Sequence, residues 1–298
     1  MACSQGALSK LCVEPGASAH TFDTSSEPYE FVRENLQKRS NIADTEGIRG
    51  TRSHHAARTR LAQNVVAGSI LFHPSPADLD LWLPRILGAN ESTDTFALAE
   101  TLQTFGVLID RVADTHEYQD CWVNRATFRS QQGGFLEMEL DIIGKAEVTG
   151  TSYPALTLPT DAHDAPYVHS DSSGAVTLVS AARETKSIEI TIDNQLEPRF
   201  VNSLNATEIC PRDRIITVRT VHSYAGHTAL YEQAVAGTTG SIVYTNAAMS
   251  TTFTFGLLQV PDSSPVVPGK QEIDLTLDMV ARMTGATREL VVTHDSVA

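Results

Sequence analysis

The stretch GGFLEMELDIIGKA, residues 133–146, alternates in the manner of a β-strand. Successive side chains on a strand point to opposite faces. One face would carry the apolar side chains Leu136, Met138, Leu140 and Ile142. The other face would carry the carboxylates Glu137, Glu139 and Asp141. Neighbouring carboxylates of this row would stand about 7 Å apart, close enough to repel one another. The stretch therefore predicts a strand with one buried face and one acidic face.

A second stretch, EIDLTLDMVARM at residues 272–283, repeats this pattern with an offset of 137 residues. Its acidic face would carry Glu272, Asp274 and Asp278. A single acidic row is typical of an ordinary solvated sheet face. Because the row occurs twice, we interpret it as a surface property that both halves of the chain share. Neither row interleaves apolar residues that would raise a carboxyl pKa, so acid-base catalysis is not indicated.

Other parts of the two halves are also similar. An offset of 149 aligns residues 64–88 with residues 213–237, and both segments read as a strand, a turn and a helix that ends at glycine. An offset of 150 aligns TFGVL at residues 104–108 with TFGLL at residues 254–258. These matches occur in the same order along the chain, with small changes of offset. They predict an internal duplication.

Short alternating segments rich in Val, Ile, Thr and Phe run through both halves and predict β-strands. The predicted strands span residues 65–72, 104–110, 121–129, 135–143, 187–192, 214–222, 241–244, 251–260, 272–280 and 289–293. Each half also has one predicted helix. In the first helix, Ser75 is placed to cap the start, Pro76 to take the first turn and Gly88 to end it. The sequence predicts a mainly β (α+β) fold, with two tandem sandwiches or part-barrels that each have one flanking helix.

Composition suggests where these two domains begin and end. Residues 1–28 are predicted to form a flexible N-terminal arm, residues 29–150 the first domain and residues 176–298 the second. Residues 151–175 between them are rich in proline and small polar residues, which predicts an irregular linker. Residues 41–64 have little periodicity and predict a long functional loop. This loop carries Arg49, Arg52, Arg58 and Arg60.

Size and charge exclude several classes of protein. The chain has 298 residues, of which 41% are hydrophobic, so it can bury a sizeable core. Its net charge of −14 argues against a protein that binds nucleic acid tightly through the phosphates. No apolar run is long enough to predict a transmembrane helix, and the N-terminus does not resemble a secretion signal. The 4 scattered cysteines fit synthesis in a reducing cytoplasm and predict neither disulfides nor a zinc site.

No motif of a known catalytic or cofactor site occurs, so we expect no enzyme activity, no cofactor and no metal. The adjacent His54 and His55 have no spacing that identifies metal ligands. His73 and His222 coincide at the offset of 149, which favours a shared structural position over a catalytic one.

Several of these segments resemble a known family. EPYEFVRENLQKRSNIADTEGIRG at residues 27–50 is followed by VVAGSILFHPSPADLDLWLPRILG at residues 65–88. Together they resemble the opening of the tail tube proteins, or major tail proteins, of long-tailed bacteriophages. KSIEITIDNQLEPRFVNSLNATEICPRDRIITVRTVHSY at residues 186–224 is similar to the same family, including the turn at Asp193 and Asn194. The resemblance covers the chain from about Glu27 onward.

The resemblance implies a structural virion protein without enzyme activity. Inner strands of such subunits join those of neighbours into a closed barrel, and the rings stack into a tube. The tube holds the tape-measure protein, meets the tail terminator and distal tail proteins, and later conducts DNA into the host. A duplicated chain would form trimeric rings with pseudo-sixfold symmetry, with hexameric rings as the alternative. Synthesis would occur in the host bacterial cytoplasm, with no membrane association.

The same resemblance suggests roles for particular side chains. The six carboxylates of the two acidic rows would line the channel and repel passing phosphates. These are Glu137, Glu139, Asp141, Glu272, Asp274 and Asp278. The long arginine-bearing loop would contact the adjacent ring and give stacking its direction. Its candidate residues are Arg49, Arg52, Arg58 and Arg60.

Three alternatives remain open at this point. The chain could be the inner tube subunit of a contractile injection system, although those subunits are usually shorter and unduplicated. It could be a carbohydrate-binding β-sandwich module of a virion or cell surface. That class favours exposed aromatic residues on loops, whereas Trp82 and Trp122 lie within predicted regular elements. A hydrolase is the third alternative, and no nucleophile and base pair supports it.

Overall fold

The structure is a computed structural model that describes residues 5–16, 20–48, 50–158, 165–172, 176–226, 230, 236–247, 249–260, 266–267 and 269–295. The fold is mainly β, with large antiparallel sheets, as the sequence predicts. The first half contains β1 Lys10–Pro15, β2 Glu27–Tyr29, β3 Arg33–Glu34, β4 Gln37–Asp44, β5 Thr59–Phe72, β6 Thr95–Ala97, β7 Phe105–Asp110, β8 Thr115–Gln131 and β9 Glu137–Thr149. The second contains β10 Val176–Leu178, β11 Ala181–Arg183, β12 Ser187–Asp193, β13 Glu197–Arg199, β14 Glu208–Cys210, β15 Ile215–Ser223, β16 Thr238–Asn246, β17 Met249–Gln259, β18 Asp274–Arg282 and β19 Leu290–Asp295. Each predicted strand overlaps one of these.

Helix α1, Pro76–Leu87, begins and ends where the sequence predicts. The Ser75 hydroxyl accepts a hydrogen bond from the Asp78 amide, and the Asp78 carboxylate accepts one from the Ser75 amide. This capping box satisfies two backbone donors at the start of the helix. Gly88 ends it in the left-handed conformation, with φ of 94°. The helix buries one apolar face formed by Leu79, Trp82, Leu83, Ile86 and Leu87.

Strand pairing follows the same order in the two halves. Neighbours run β4-β5-β9-β8-β7-β1 in the first half. They run β12-β15-β18-β17-β16-β10 in the second. All of these pairs are antiparallel. Strand β8 also pairs with β12, and β19 pairs with both β17 and β6, so the halves share continuous sheet structure.

Strand β8 reaches both neighbours because it bends near its middle. Its first part, residues 115–121, pairs with β7, whereas residues 125–131 pair with β12. Asp120 at the bend has a positive φ of 47°, and the register with β9 shifts between Val123 and Arg125. Such a bulge turns a strand from one layer into another.

One hydrophobic core spans both halves. Strands β9 and β18 each bury the apolar face that the sequence predicts. The buried residues are Met138, Leu140 and Ile142 on β9 and Leu275, Leu277 and Met279 on β18. Since their side chains enter one core, the two halves pack against each other.

Parts of the predicted arm and linker belong to this folded body. Strand β1, which lies within the predicted arm, pairs with β2 and β7. In the predicted linker, Tyr167 is fully buried. Its amide donates to the Pro74 carbonyl at 3.1 Å, and its carbonyl accepts from the Leu136 amide at 2.8 Å. The domain boundaries themselves stay a prediction.

The prediction of one long loop at residues 41–64 is wrong at both ends. Strands β4 and β5 pair as a long hairpin, and only residues 45–58 connect them. All of β4 and the first five residues of β5 are exposed. Because both faces of this projecting hairpin meet solvent, its sequence has no apolar alternation to reveal a strand.

Strand register also corrects the alignment of the two halves at His73. His222 on β15 pairs with Leu275 of β18, while Phe72 on β5 pairs with Met138 of β9. In the predicted duplication Met138 falls on Leu275 at the offset of 137, so the strand register would place Phe72, at an offset of 150, in the position of His222. His73 therefore lies one residue out of register, half-buried, whereas His222 is fully buried. The helix predicted in the second half falls mostly on residues 227–229 and 231–235, outside the described residues.

Candidate functional site

The two acidic rows lie on one face of one continuous layer. Paired residues of antiparallel strands share a face, so the register connects β9 to β18 across three intervening strands. One transverse row runs Glu137, Arg129, Glu189, Arg219 and Asp278, with one residue from each of β9, β8, β12, β15 and β18. Acidic and basic side chains alternate along it. We call this side of the layer, opposite the core, the charged face.

Arginines of β8 neutralise part of the acidic row of β9. The Arg125 Nη2 atom lies 2.6 Å from Asp141 Oδ2. Arg129 contacts Glu139 at 3.1 Å through Nη1 and Glu189 of β12 at 2.9 Å through Nε. These arginines occupy alternate positions on β8 with Thr127 between them. Repulsion within the carboxylate row is thereby reduced by cross-strand ion pairs.

The acidic row of β18 has fewer basic partners. Lys186, just before β12, donates from one ammonium to both Glu272 at 2.7 Å and Asp274 at 2.5 Å. Arg219 of β15 lies 3.4 Å from Asp278. Because one lysine serves two carboxylates, the Glu272 end of this row keeps a negative charge.

These ion pairs shift the protonation of the groups in a consistent direction. Hydrogen bonds from Lys186 and then from Ser223 lower the pKa of Glu272. Partial burial acts to lower the pKa of Arg129, but its contacts with Glu189 and Glu139 raise it on balance. Glu272 and Arg129 therefore stay ionised around neutral pH. The side chains of the charged face are partly exposed, so each pair contributes little to stability.

The six predicted channel carboxylates are thus on one surface, but they do not form bare acidic rows. Five of them are in ion pairs with described residues: Glu139, Asp141, Glu272, Asp274 and Asp278. Glu137 is exposed, and no ion pair joins it to another residue that the structure describes. Carboxylates still outnumber basic groups on the face once Asp193 is included.

The predicted stacking residues lie toward the tip of the β4–β5 hairpin. Arg52, Arg58 and Arg60 are exposed there, and Arg49 lies outside the described residues. The hairpin also exposes apolar side chains, since Ile42 and Leu61 pair on it at 64% and 44% exposure. A tip with both cations and apolar side chains has the composition of a contact surface.

The sequence was compared with models of known protein families. The chain matches the model of the phage tail tube protein family over residues 10–281. The chain belongs to the phage tail tube protein family. No curated protein matches the chain. Membership makes this tail tube protein a structural component of the virion tail that self-assembles into a tube.

The basic residues of the charged face were not predicted from the sequence. Arg125, Arg129, Lys186 and Arg219 supply the cations, and Glu189 links two of them. A period-two reading of residues 121–129 could have placed both β8 arginines outward. Their acidic partners could not be found this way, since Arg129 and Glu189 are 60 residues apart in sequence.

No described region of this tail tube protein combines the side chains of a recognised catalytic site. No group of His, Cys, Asp or Glu that could hold a metal occurs among the described residues. Cys12 and Cys121 are buried thiols, and burial raises the pKa of Cys12 to about 12. Such thiols are poor nucleophiles. Among the described residues, the helices are too short and too polar to cross a membrane.

Proposed function

We propose that three chains close into a ring in which their two halves alternate, and that stacked rings conduct the genome out of the virion. The repeated strand order carries this proposal, together with the β8–β12 pairing that already joins two similar units edge to edge. Three such chains would supply six units around a channel. Ring closure would cover the strand edges that each chain leaves open. An internal duplication accounts for the repeat.

In this ring the charged face lines the channel. It is the solvent-facing side of the layer that crosses both halves, and the core lies behind it. Arg125, Arg129 and Arg219 of this face are each held by a carboxylate, so a phosphate would have to displace that carboxylate to bind them. The excess of carboxylates then repels DNA and keeps a hydrated layer between the two. During assembly the same channel would hold the tape-measure protein, and the tube ends would meet the terminator and distal tail proteins.

Electron microscopy of the purified protein at high concentration tests the ring. We expect stacked rings with a central hole, and single-ring masses that correspond to three chains. Rings of six chains would contradict the alternation of halves. A monodisperse compact monomer under the same conditions would contradict the tube-forming role of the purified chain altogether.

DNA retention by assembled tubes tests the channel assignment. Replacing Glu137→Gln, Glu139→Gln and Asp141→Asn would free Arg125 for phosphates and leave Arg129 with Glu189 as its one acidic partner among the described residues. These tubes should retain short double-stranded DNA at low salt and release it as salt rises. The control neutralises three exposed carboxylates away from the face, by Glu100→Gln, Glu197→Gln and Glu208→Gln. Equal retention by both variants would place the charged face outside the channel.

We propose further that the β4–β5 hairpin contacts the adjacent ring. Its exposed cations and the Ile42–Leu61 pair favour this role. Replacing Arg52, Arg58 and Arg60 together by glutamate should leave single rings that no longer stack. Tubes of normal length from that variant would count against a stacking role for the hairpin.

A carbohydrate-binding role has no support from the tryptophans. Trp82 is fully buried in α1 between Tyr29 and Phe105. Trp122 is half-buried beneath the Lys145 ammonium, 5.2 Å from its ring centroid. Neither side chain presents an open face to a sugar.

A further inference from the structure

Strands β3 and β4 form an open edge of the continuous layer. Both pair with β5 on one side, and no other described strand pairs with them. An open edge exposes unpaired amides and carbonyls that favour the addition of another strand. Two arginines on this edge, Arg33 and Arg39, lie on the charged face, as their pairing with Leu71 and Val65 shows.

Strand β12 occupies the equivalent position in the second half, and there the edge is covered. Val65 of β5 corresponds to Ile215 of β15 at the offset of 150, and these residues pair with Arg39 and Asp193 respectively. Arg39 is thus the counterpart of Asp193. Strand β8 covers Asp193 with Arg125 directly opposite. The two counterparts carry opposite charge.

This inversion of charge restricts what the open edge can accept. Strand β8 presents Arg125 and Arg129 to its partner and therefore suits the acidic β12. The same strand of another chain would bring those arginines against Arg33 and Arg39, and like charges placed opposite each other are destabilising. Arg39 has no ion pair with another described residue, and the side chain of Arg33 is 67% exposed beside Glu139. The open edge consequently requires an acidic partner.

An acidic surface is present at the other end of the same layer. Strand β18 pairs with β15 over residues 274–280, but with β17 only near its C-terminal end. Glu272 and Asp274 share the single ammonium of Lys186, and Asp278 follows on the same face. The basic Arg282 lies at the far end of the strand. Among the described residues, no further strand pairs with β18 near Glu272, and this end of the layer is negatively charged.

We infer that the β3–β4 edge of one chain docks on the β18 end of the next copy, with Arg33 and Arg39 facing its carboxylates. This inference rests on the proposed ring and specifies its interface. The contact is head-to-tail, joining the first half of one chain to the second half of another. Repetition of this contact makes the halves alternate, and complementary charges exclude contacts between like halves.

Charge reversal tests this interface. The double variant Arg33→Glu and Arg39→Glu should reduce ring formation at least about tenfold, measured as the fraction of protein in rings by mass photometry and microscopy. Adding Asp274→Arg and Asp278→Arg to the same chain should restore ring formation. The control Arg199→Glu and Arg212→Glu reverses two exposed arginines, one on β13 and one just after β14, and should form rings normally.

The outcomes separate the interface from the ring itself. Rings from the wild type and equally from the double variant would overturn the interface and leave the ring standing. A double variant that loses rings but is not rescued by the acidic-side changes would also overturn the pairing of these two edges. Wild-type protein that forms no rings would overturn both. Circular dichroism of each variant, with Arg33→Gln and Arg39→Gln as a milder replacement, separates loss of docking from loss of folding.

Discussion

The two faces of strands β9 and β18 differ sharply although they share one backbone. Their inner faces bury Leu140 and Leu277 completely. Their outer faces carry Asp141 and Asp278, which are partly exposed and ion-paired to arginines of neighbouring strands. Burial of apolar surface contributes far more free energy than an exposed ion pair does. Stability therefore resides on the inner face, and the outer face is free to be selected for its charge.

The largest expected effect comes from breaking the inner face. Leu140→Ala removes a fully buried side chain from the core shared by both halves. The free energy of unfolding should fall by about 2–5 kcal/mol. Urea denaturation followed by circular dichroism measures this loss. The matched control Asp141→Asn, one residue away on the outer face, should cost less than about 1 kcal/mol. Comparable losses of unfolding free energy from both changes would contradict the inference that stability resides on the inner face.

The inner face also contains polar groups, which behave as core residues. Ser130 of β8 lies on this face, and its hydroxyl lies 2.8 Å from the buried Tyr244 hydroxyl of β16. Burial raises the pKa of Tyr244, so this group stays neutral. Tyr244→Phe should reduce the free energy of unfolding by about 1–3 kcal/mol, since it leaves a buried hydroxyl with one partner fewer. Chemical denaturation measures this loss of stability. An unchanged midpoint would show that the hydrogen bond between Ser130 and His169, at 3.0 Å, is sufficient for the Ser130 hydroxyl.

A buried histidine makes core stability depend on pH. His294 on β19 is buried, and this burial lowers its pKa below the ordinary value of 6.5. The unfolded chain then binds the proton more readily, so stability is fully present above pH 6.5 and declines as pH falls below it. The slope for one proton is at most about 1.4 kcal/mol per pH unit. Urea midpoints between pH 7.5 and 5.5 measure the decline.

Substitutions distinguish this histidine from the others. His294→Gln should flatten the decline below pH 6.5, whereas His55→Gln on the exposed hairpin should leave it unchanged. The His294 Nδ1 atom lies 2.8 Å from the Thr251 hydroxyl, and glutamine retains an amide that can replace this contact. An identical pH dependence in His294→Gln would assign the decline to other groups.

The sequence allowed the local features of this molecule to be predicted. The period of two on β9 and β18 placed Leu140 inward and Asp141 outward, and the cap at Ser75 located α1. These features depend on residues close together in sequence, which is why a pattern reveals them. The hairpin at residues 41–64 escaped prediction because no buried face imposes alternation on it.

Contacts between distant strands could not be predicted in the same way. The charged face depends on register, and Arg129 meets Glu189 only because β8 pairs with β12 in one particular alignment. A slip of one residue exchanges the two faces of a strand. Acidic rows were therefore visible in the sequence, whereas the arginines that neutralise them required the structure.

The smallest expected effect concerns one link of the charged row. A double-mutant cycle of Arg129→Gln and Glu189→Gln should give a coupling free energy of about 0.2–1 kcal/mol, because both side chains are about half exposed. Raising the salt concentration to about 1 M should reduce that coupling further, since exposed charges are screened. Unfolding in urea at two salt concentrations measures both quantities. A coupling free energy well above 1 kcal/mol that persists at high salt would show that the charged row stabilises the fold about as much as the buried face does. The contrast between the two faces would then be wrong.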